Sequence, residues 1–182
     1  LNLLECLKNY NHKVTVIFIT SDKCYKNFET DKGYSENDHL GGDDLYSASK
    51  ASAEIIINAY FKSFLKNNNF ISIATVRAGN VIGGGDWSEN RLIPDIMNNY
   101  FNNKSIIIRN PHATRPWQHV LEPLSGYIHL ASSLYKKRVF LNGESFNFGP
   151  DTKNVINVNR LLEIIKLHTK NLKFKTMKKS KF

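Results

Sequence analysis

Val14-Thr15-Val16-Ile17-Phe18-Ile19-Thr20-Ser21-Asp22-Lys23 is the stretch that decides the fold. Its first part is a continuous apolar and β-branched run, the composition of a strand buried on both faces of a parallel sheet. Open α/β sheets present ligand-binding groups at the carboxyl ends of such strands. Ser21, Asp22 and Lys23 stand at that end and offer a hydroxyl, a carboxylate and an amine in succession. Downstream, Tyr46-Ser47-Ala48-Ser49-Lys50 places a phenol and an ammonium four residues apart, on one face of a helix. An ammonium beside a phenol favours the phenolate, which lets a tyrosine serve as a base near neutral pH.

Around this pair the pattern is alternating α and β. Leu1, Leu3, Leu4 and Leu7 suggest the end of a helix. Tyr25 to Asp44 is polar, carries Gly33, Gly41 and Gly42, and is long enough for a functional loop. A helix is expected from about Leu45. Ala53, Ile56, Ile57, Tyr60, Phe61, Phe64 and Leu65 form its apolar stripe, either core or a dimer face. Phe70 to Val76 alternates and reads as a second strand, which makes a parallel crossover unit with the first. Further on, Asn90 is placed to cap a helix over Arg91 to Asn102. Short strands are expected at residues 105–108 and 144–148, and helices at 121–137 and 158–170.

Composition narrows the classes. The 182 residues are 41% hydrophobic and 23% charged, as in a globular protein. Apolar runs are too short for a membrane span, and no basic start leads into a signal-like core. The two cysteines, Cys6 and Cys24, make neither a disulfide framework nor a metal spacing. A reduced, cytoplasmic setting follows. The net charge of +9 is read mainly as a solvated surface, since aromatics are not interleaved with a basic stripe. No nucleic acid, membrane or metal partner is expected.

The wider text carries a resemblance. Thr20-Ser21-Asp22-Lys23-Cys24-Tyr25, Gly41-Gly42, Arg77-Ala78-Gly79-Asn80-Val81-Ile82-Gly83-Gly84-Gly85-Asp86-Trp87, Arg91-Leu92-Ile93-Pro94-Asp95, Arg109-Asn110-Pro111-His112 and Arg115-Pro116-Trp117-Gln118-His119 occur in this order. With Tyr46 and Lys50, these segments resemble the CDP-linked branch of the sugar-nucleotide epimerase/dehydratase family, within the extended short-chain dehydrogenase/reductase superfamily. The resemblance covers residues 14 to 165.

The fold it implies is α/β: the second half of a Rossmann-type parallel sheet plus part of a small α/β substrate-binding domain. Residues 1–85 would hold the catalytic half of the NAD-binding domain, and residues 86–182 the nucleotide-sugar region, interleaved with late sheet elements. The implied activity is NAD-dependent dehydration of CDP-glucose to CDP-4-keto-6-deoxyglucose, feeding deoxysugar and lipopolysaccharide synthesis. The catalytic residues would be Ser21, Asp22, Lys23, Tyr46 and Lys50. Tyr46, Lys50 and Arg77 would contact NAD, while Asn80, Arg91 and Arg115 would hold the substrate. The full-length form is expected to be a homo-oligomer. The alternatives are another sugar-nucleotide dehydratase or epimerase, or a truncated, non-catalytic remnant. The family opens with a Gly-x-x-Gly-x-x-Gly turn that is not found here, and the first residue is Leu1. A piece of a longer enzyme, with little NAD affinity of its own, is therefore expected.

Overall fold

The computed structural model describes residues 1–30, 32–136, 139–151, 155–169 and 172–177. In chain order the first elements are α1 (Asn2–Lys8), β1 (Val14–Ile19), α2 (Leu45–Tyr60) and β2 (Ile71–Ala78). Next come β3 (Val81–Ile82), α3 (Leu92–Phe101), β4 (Ile106–Ile108), β5 (Thr114–Arg115), β6 (Gln118–His119) and α4 (Leu121–Tyr135). The chain continues through β7 (Ser145–Phe148), β8 (Ile156–Asn157), α5 (Val158–His168) and β9 (Phe174–Thr176). It divides into two compact units, residues 1–79 with 120–149, and residues 80–119 with 150–182. The first unit thus ends before residue 85 and takes the chain back for α4 and β7.

The first unit is built on a three-stranded parallel sheet in the order β1-β2-β7. Val14 pairs with Ile71 and Ile19 with Val76. Strand side chains alternate between faces. Val14, Val16 and Phe18, with Ile71 and Ile73, face a core made with Leu4 and Leu7 of α1 and with Ile57 and Tyr60 of α2. Ile17, Ala74 and Val76 face the opposite way, against Leu130 and Leu134 of α4. Helices therefore cover both faces, as parallel sheets require.

The buried stripe of α2 differs from the hydrophobic reading. Ser47, Ala51, Glu54 and Ile57 are buried, whereas Ile56 and Phe64 are exposed. Past Tyr60 the helix widens into one π turn, Phe61–Leu65, closed by the Lys66 amide donating to the Phe61 carbonyl at 2.9 Å. The extra residue in that turn rotates Leu65 fully inward and Phe64 outward. Gly143, at φ +85°, lies against the same turn: a Cβ there would sit 2.0 Å from the Phe61 ring.

In the second unit, α3 and α5 enclose a core of Ile96, Ile106, Ile108, Val158 and Leu162 beside the parallel pair β4–β9. Strand β3 pairs with β6 in parallel, and β5 with β8 antiparallel. Asn90 does not cap α3. It takes a left-handed φ of 63°, and Arg91 occupies the cap position without a side-chain bond. The end of the expected last helix, Lys170, lies outside the described residues.

Candidate active site

Ser21 follows directly on β1. Its backbone is extended and its side chain is buried. The hydroxyl accepts from the Lys23 amide at 3.3 Å and donates to Asp22 Oδ1 at 3.1 Å. It thereby starts one turn of 3-10 helix, Asp22–Cys24. The turn is anchored by Cys24 and Tyr25, both buried with Ala51 of α2. Burial pushes the Cys24 thiol up to about 11, so it stays a neutral thiol.

The Tyr25–Asp44 loop folds back on this turn. Tyr25 bridges Leu40 antiparallel, and the Gly41 amide donates to the Cys24 carbonyl at 2.8 Å. Gly42 then passes so close to α2 that a Cβ would lie 2.2 Å from that of Ser47 and 2.8 Å from its carbonyl carbon. Asp44 caps the helix. Its carboxylate accepts from the Ser47 hydroxyl at 2.6 Å and the Ser47 amide at 3.0 Å. These bonds hold the Asp44 carboxyl below its ordinary range, with a further contribution from the Lys23 ammonium.

Tyr46 and Lys50 occupy the exposed beginning of that helix. The Lys50 ammonium lies 5.7 Å from the Tyr46 ring centroid, and Tyr46 is 55% exposed. Among the described residues neither the phenol nor the ammonium has a side-chain hydrogen bond or ion pair. Helix α2 packs against the Asp22–Cys24 turn, so Ser21, Asp22, Lys23, Tyr46 and Lys50 all belong to one compact unit.

Arg77, expected at the cofactor, lies elsewhere. It is 3% exposed and forks onto Glu54, with Nε to Oε1 and Nη2 to Oε2 both at 2.9 Å. Its Nη1 donates to the Tyr25 hydroxyl at 2.6 Å and to the Glu36 carbonyl at 3.0 Å. A guanidinium committed to these internal acceptors is a structural group, buried where the sequence suggested a cofactor contact. The paired carboxylate holds Arg77 protonated and raises its pKa further. Glu54 also accepts from the Thr20 hydroxyl and, at 3.2 Å, from Ser145 Oγ.

The hydrophobic reading missed Glu54, Tyr25 and Thr20. The visible signal was charge in apolar context: Glu54 inside the helix stripe and Arg77 inside a strand. The expected substrate residues fall in the other unit. There the Asn80 carbonyl accepts from the Gln118 amide at 3.0 Å, Arg91 pairs with Asp86 at 3.4 Å, and Arg115 Nη1 donates to the Thr114 carbonyl at 2.8 Å. No group of three or more His, Cys, Asp and Glu able to hold a metal ion occurs among the described residues.

Residues 1–149 match the family described as NAD dependent epimerase/dehydratase. The chain belongs to the NAD dependent epimerase/dehydratase family. It is 51% identical over 161 residues to CDP-glucose 4,6-dehydratase of Salmonella typhimurium, covering 85% of this chain and 45% of that enzyme. It therefore spans about half the length of the curated relative it matches. Two solved structures extend the likeness. dTDP-glucose 4,6-dehydratase of Bacillus anthracis in complex with NAD superposes with a TM-score of 0.74 at 25% identity, covering 97% of this chain and 54% of that one. UDP-N-acetylglucosamine 4-epimerase of Methanobrevibacter ruminantium gives 0.76 at 23% identity, over 100% of this chain and 56% of that one, a likeness of fold. Family membership makes NAD the cofactor to test. The unpartnered phenol and ammonium at the head of α2 fit a nicotinamide riboside, while the chain carries no Gly-x-x-Gly-x-x-Gly turn for the pyrophosphate.

Proposed function

We propose that this chain carries the acid–base part of an enzyme that dehydrates CDP-glucose to CDP-4-keto-6-deoxyglucose with NAD. The observation that carries the reading is the packing of α2, headed by Tyr46 and Lys50, on the turn of Ser21, Asp22 and Lys23. The 51% identity to the Salmonella dehydratase supports the choice of nucleotide sugar.

In this reading Tyr46 takes the proton of the sugar 4-hydroxyl, and Ser21 hydrogen-bonds the same oxygen. Lys50 stabilises the phenolate and holds the nicotinamide ribose. Bound NAD would supply the hydride acceptor for C4 and the hydride donor for C6, with Tyr46 and Lys50 holding its nicotinamide riboside. The C4 ketone acidifies the C5 hydrogen, which Lys23 removes while Asp22 protonates the departing 6-hydroxyl. Asn80, Arg91 and Arg115 keep the proposed role of holding the nucleotide diphosphate, for which guanidinium forks are suited. The setting proposed is cytoplasmic deoxysugar synthesis, in a homo-oligomer. The exposed Ile55, Ile56 and Phe64 of the α2 region are in keeping with a subunit contact.

The test is a chimera in which this chain replaces the matching part of the Salmonella enzyme, assayed with CDP-glucose and NAD in deuterated water. The expected result is a 4-keto-6-deoxy product with deuterium at C5. Tyr46→Phe should lower turnover ~100-fold or more, as for loss of a positioned base. Lys23→Met should abolish C5 exchange. Turnover of dTDP-glucose but not CDP-glucose would overturn the nucleotide, and no turnover of either would overturn the reaction. The chain alone should bind NAD weakly, and calorimetry showing micromolar affinity would contradict the division of the site.

A further inference from the structure

We propose that the buried Glu54–Arg77 pair is the positioning element of this site, gripping the Ser21–Asp22–Lys23 turn from both sides and fixing it to the helix that carries Tyr46 and Lys50. The inference rests on the dehydratase reading for its chemical meaning, but its geometry stands independently.

The alternation of the strands creates the pair. Val14, Val16 and Phe18 face α2, so Thr20, the next residue of that parity, does too. Ile71 and Ile73 face α2, and the same parity brings Thr75 and Arg77 to that side. The Thr20 amide donates to the Val76 carbonyl at 2.9 Å, which sets Thr20 beside Arg77. Glu54 arrives from the buried stripe of α2, one turn after Lys50 and two after Tyr46.

The grip is closed on itself. Thr20, immediately before Ser21, donates its hydroxyl to Glu54. Glu54 is forked by Arg77 at 2.9 Å through both Nε and Nη2. Arg77 in turn donates at 2.6 Å to Tyr25, the residue just after the Asp22–Cys24 turn. The Tyr25 hydroxyl donates onward to Asn147 Oδ1 of β7 at 2.7 Å. Both ends of the reactive turn are therefore tied to one buried carboxylate–guanidinium fork, which is rooted in the helix bearing the proposed base. Apolar residues could fill the same volume with little loss of stability. What they lack is direction: bidentate ion pairs fix angle as well as distance. Reaction rates are sensitive to that, since an error of about 1 Å in a reacting group can cost ~100-fold.

The test uses two readouts on three substitutions. In the chain itself, amide hydrogen exchange is measured for Arg77→Lys, Thr20→Val and Thr20→Ser. Arg77→Lys and Thr20→Val should speed exchange at Lys23, Cys24 and Tyr25 by roughly tenfold or more, while amides of Val16 to Phe18 and Ile73 to Val76 keep their protection. Thr20→Ser retains the hydroxyl and should behave as wild type. In the Salmonella chimera the first two should lower kcat with KM for CDP-glucose within about twofold, as for misplaced reacting groups rather than lost binding. Arg77→Lys could fail to fold; Thr20→Val leaves the ion pair in place and decides the question on its own. Uniform loss of protection across the sheet, or no change at the turn, would overturn the grip. An inactive parent chimera with turn-limited exchange would overturn the reaction and leave the grip standing.

Discussion

The two ends of helix α2 are held differently. At its beginning Leu45 and Tyr46 stand in solvent, at 92% and 55% exposed, and Ser47 alone is buried, on the Asp44 cap. Its remainder, with the π turn, is held through Ala51, Glu54, Ile57, Tyr60, Phe61 and Leu65, all buried. The contrast separates two tasks that no single side chain performs well. A reacting phenol or ammonium must be left without protein partners so that a ligand can engage it. An unpartnered group is held in place only by the backbone beneath it, so the same helix needs rigid anchorage further along. Substitutions should therefore cost stability according to whether they remove a buried anchor or an exposed head group.

The sharpest break in that comparison is at Arg77. Arg77→Met leaves Glu54 charged, buried and unpaired, and should cost about 3–5 kcal/mol. Adding Glu54→Leu removes the orphaned charge and should restore most of that loss, which urea unfolding midpoints of the single and double variants would show. A single variant as stable as wild type would mean that water reaches the carboxylate and that the pair is not a true anchor.

Next comes the π turn. Leu65 is fully buried and Phe64 is 49% exposed, although they are adjacent. Leu65→Ala should cost on the order of 3 kcal/mol through a cavity, and Phe64→Ala about 1 kcal/mol or less. Equal losses would show that the turn does not rotate the stripe in solution.

This pair also shows where the sequence could and could not be read. Strands β1 and β2 were legible because β-branched runs leave little else for those residues to be. The start of α2 was legible from the loop chemistry before Leu45. The stripe was read out of phase for two physical reasons. Ranking by hydrophobicity excludes Glu54 and Ser47, whose burial depends on partners remote in sequence, Arg77 and Thr20 for the one and the Asp44 cap for the other. The π turn then adds a residue that a 3.6 period cannot anticipate. Arg77 was given to the cofactor by the family resemblance, and the carboxylate that holds it inside, Glu54, lies 23 residues away in sequence. Strand parity pointed to that carboxylate's face, since Thr20 and Arg77 share the side taken by Val16 and Ile73. The return of residues 120–149 to the first unit depends on β7 pairing with β2, a long-range contact with no local signature.

A smaller effect is expected at the cap. Asp44→Ala removes both acceptors of Ser47 and should fray the first turn of α2 with less loss than either core change. The Asp44 carboxyl is depressed in the folded state. Its contribution is therefore present above the ordinary carboxylate pKa and is lost as pH falls through the lower folded value. The wild type and Asp44→Ala should differ in melting temperature at neutral pH and converge on acidification through that window. A difference that persists unchanged in acid would show that the side chain acts through something other than its charge.

The smallest effect on stability belongs to Tyr46. The phenol has no hydrogen-bond partner among the described residues, and the ring is mostly in solvent, so removing one oxygen deletes no contact that holds the fold. Tyr46→Phe should leave the unfolding free energy in urea within about 0.5 kcal/mol of wild type, the range of neutral surface changes. Lys50→Met should behave alike, since the ammonium contributes only a long approach, 5.7 Å, to the same exposed ring. Both changes strike the groups on which the proposed proton transfer depends, so in the chimera they should remove turnover while circular dichroism and unfolding stay unchanged. A large loss of stability from Tyr46→Phe would mean that the phenol is a structural bond donor. The exposed end of α2 would then be an extension of the anchored one, and the division of labour along the helix would fail.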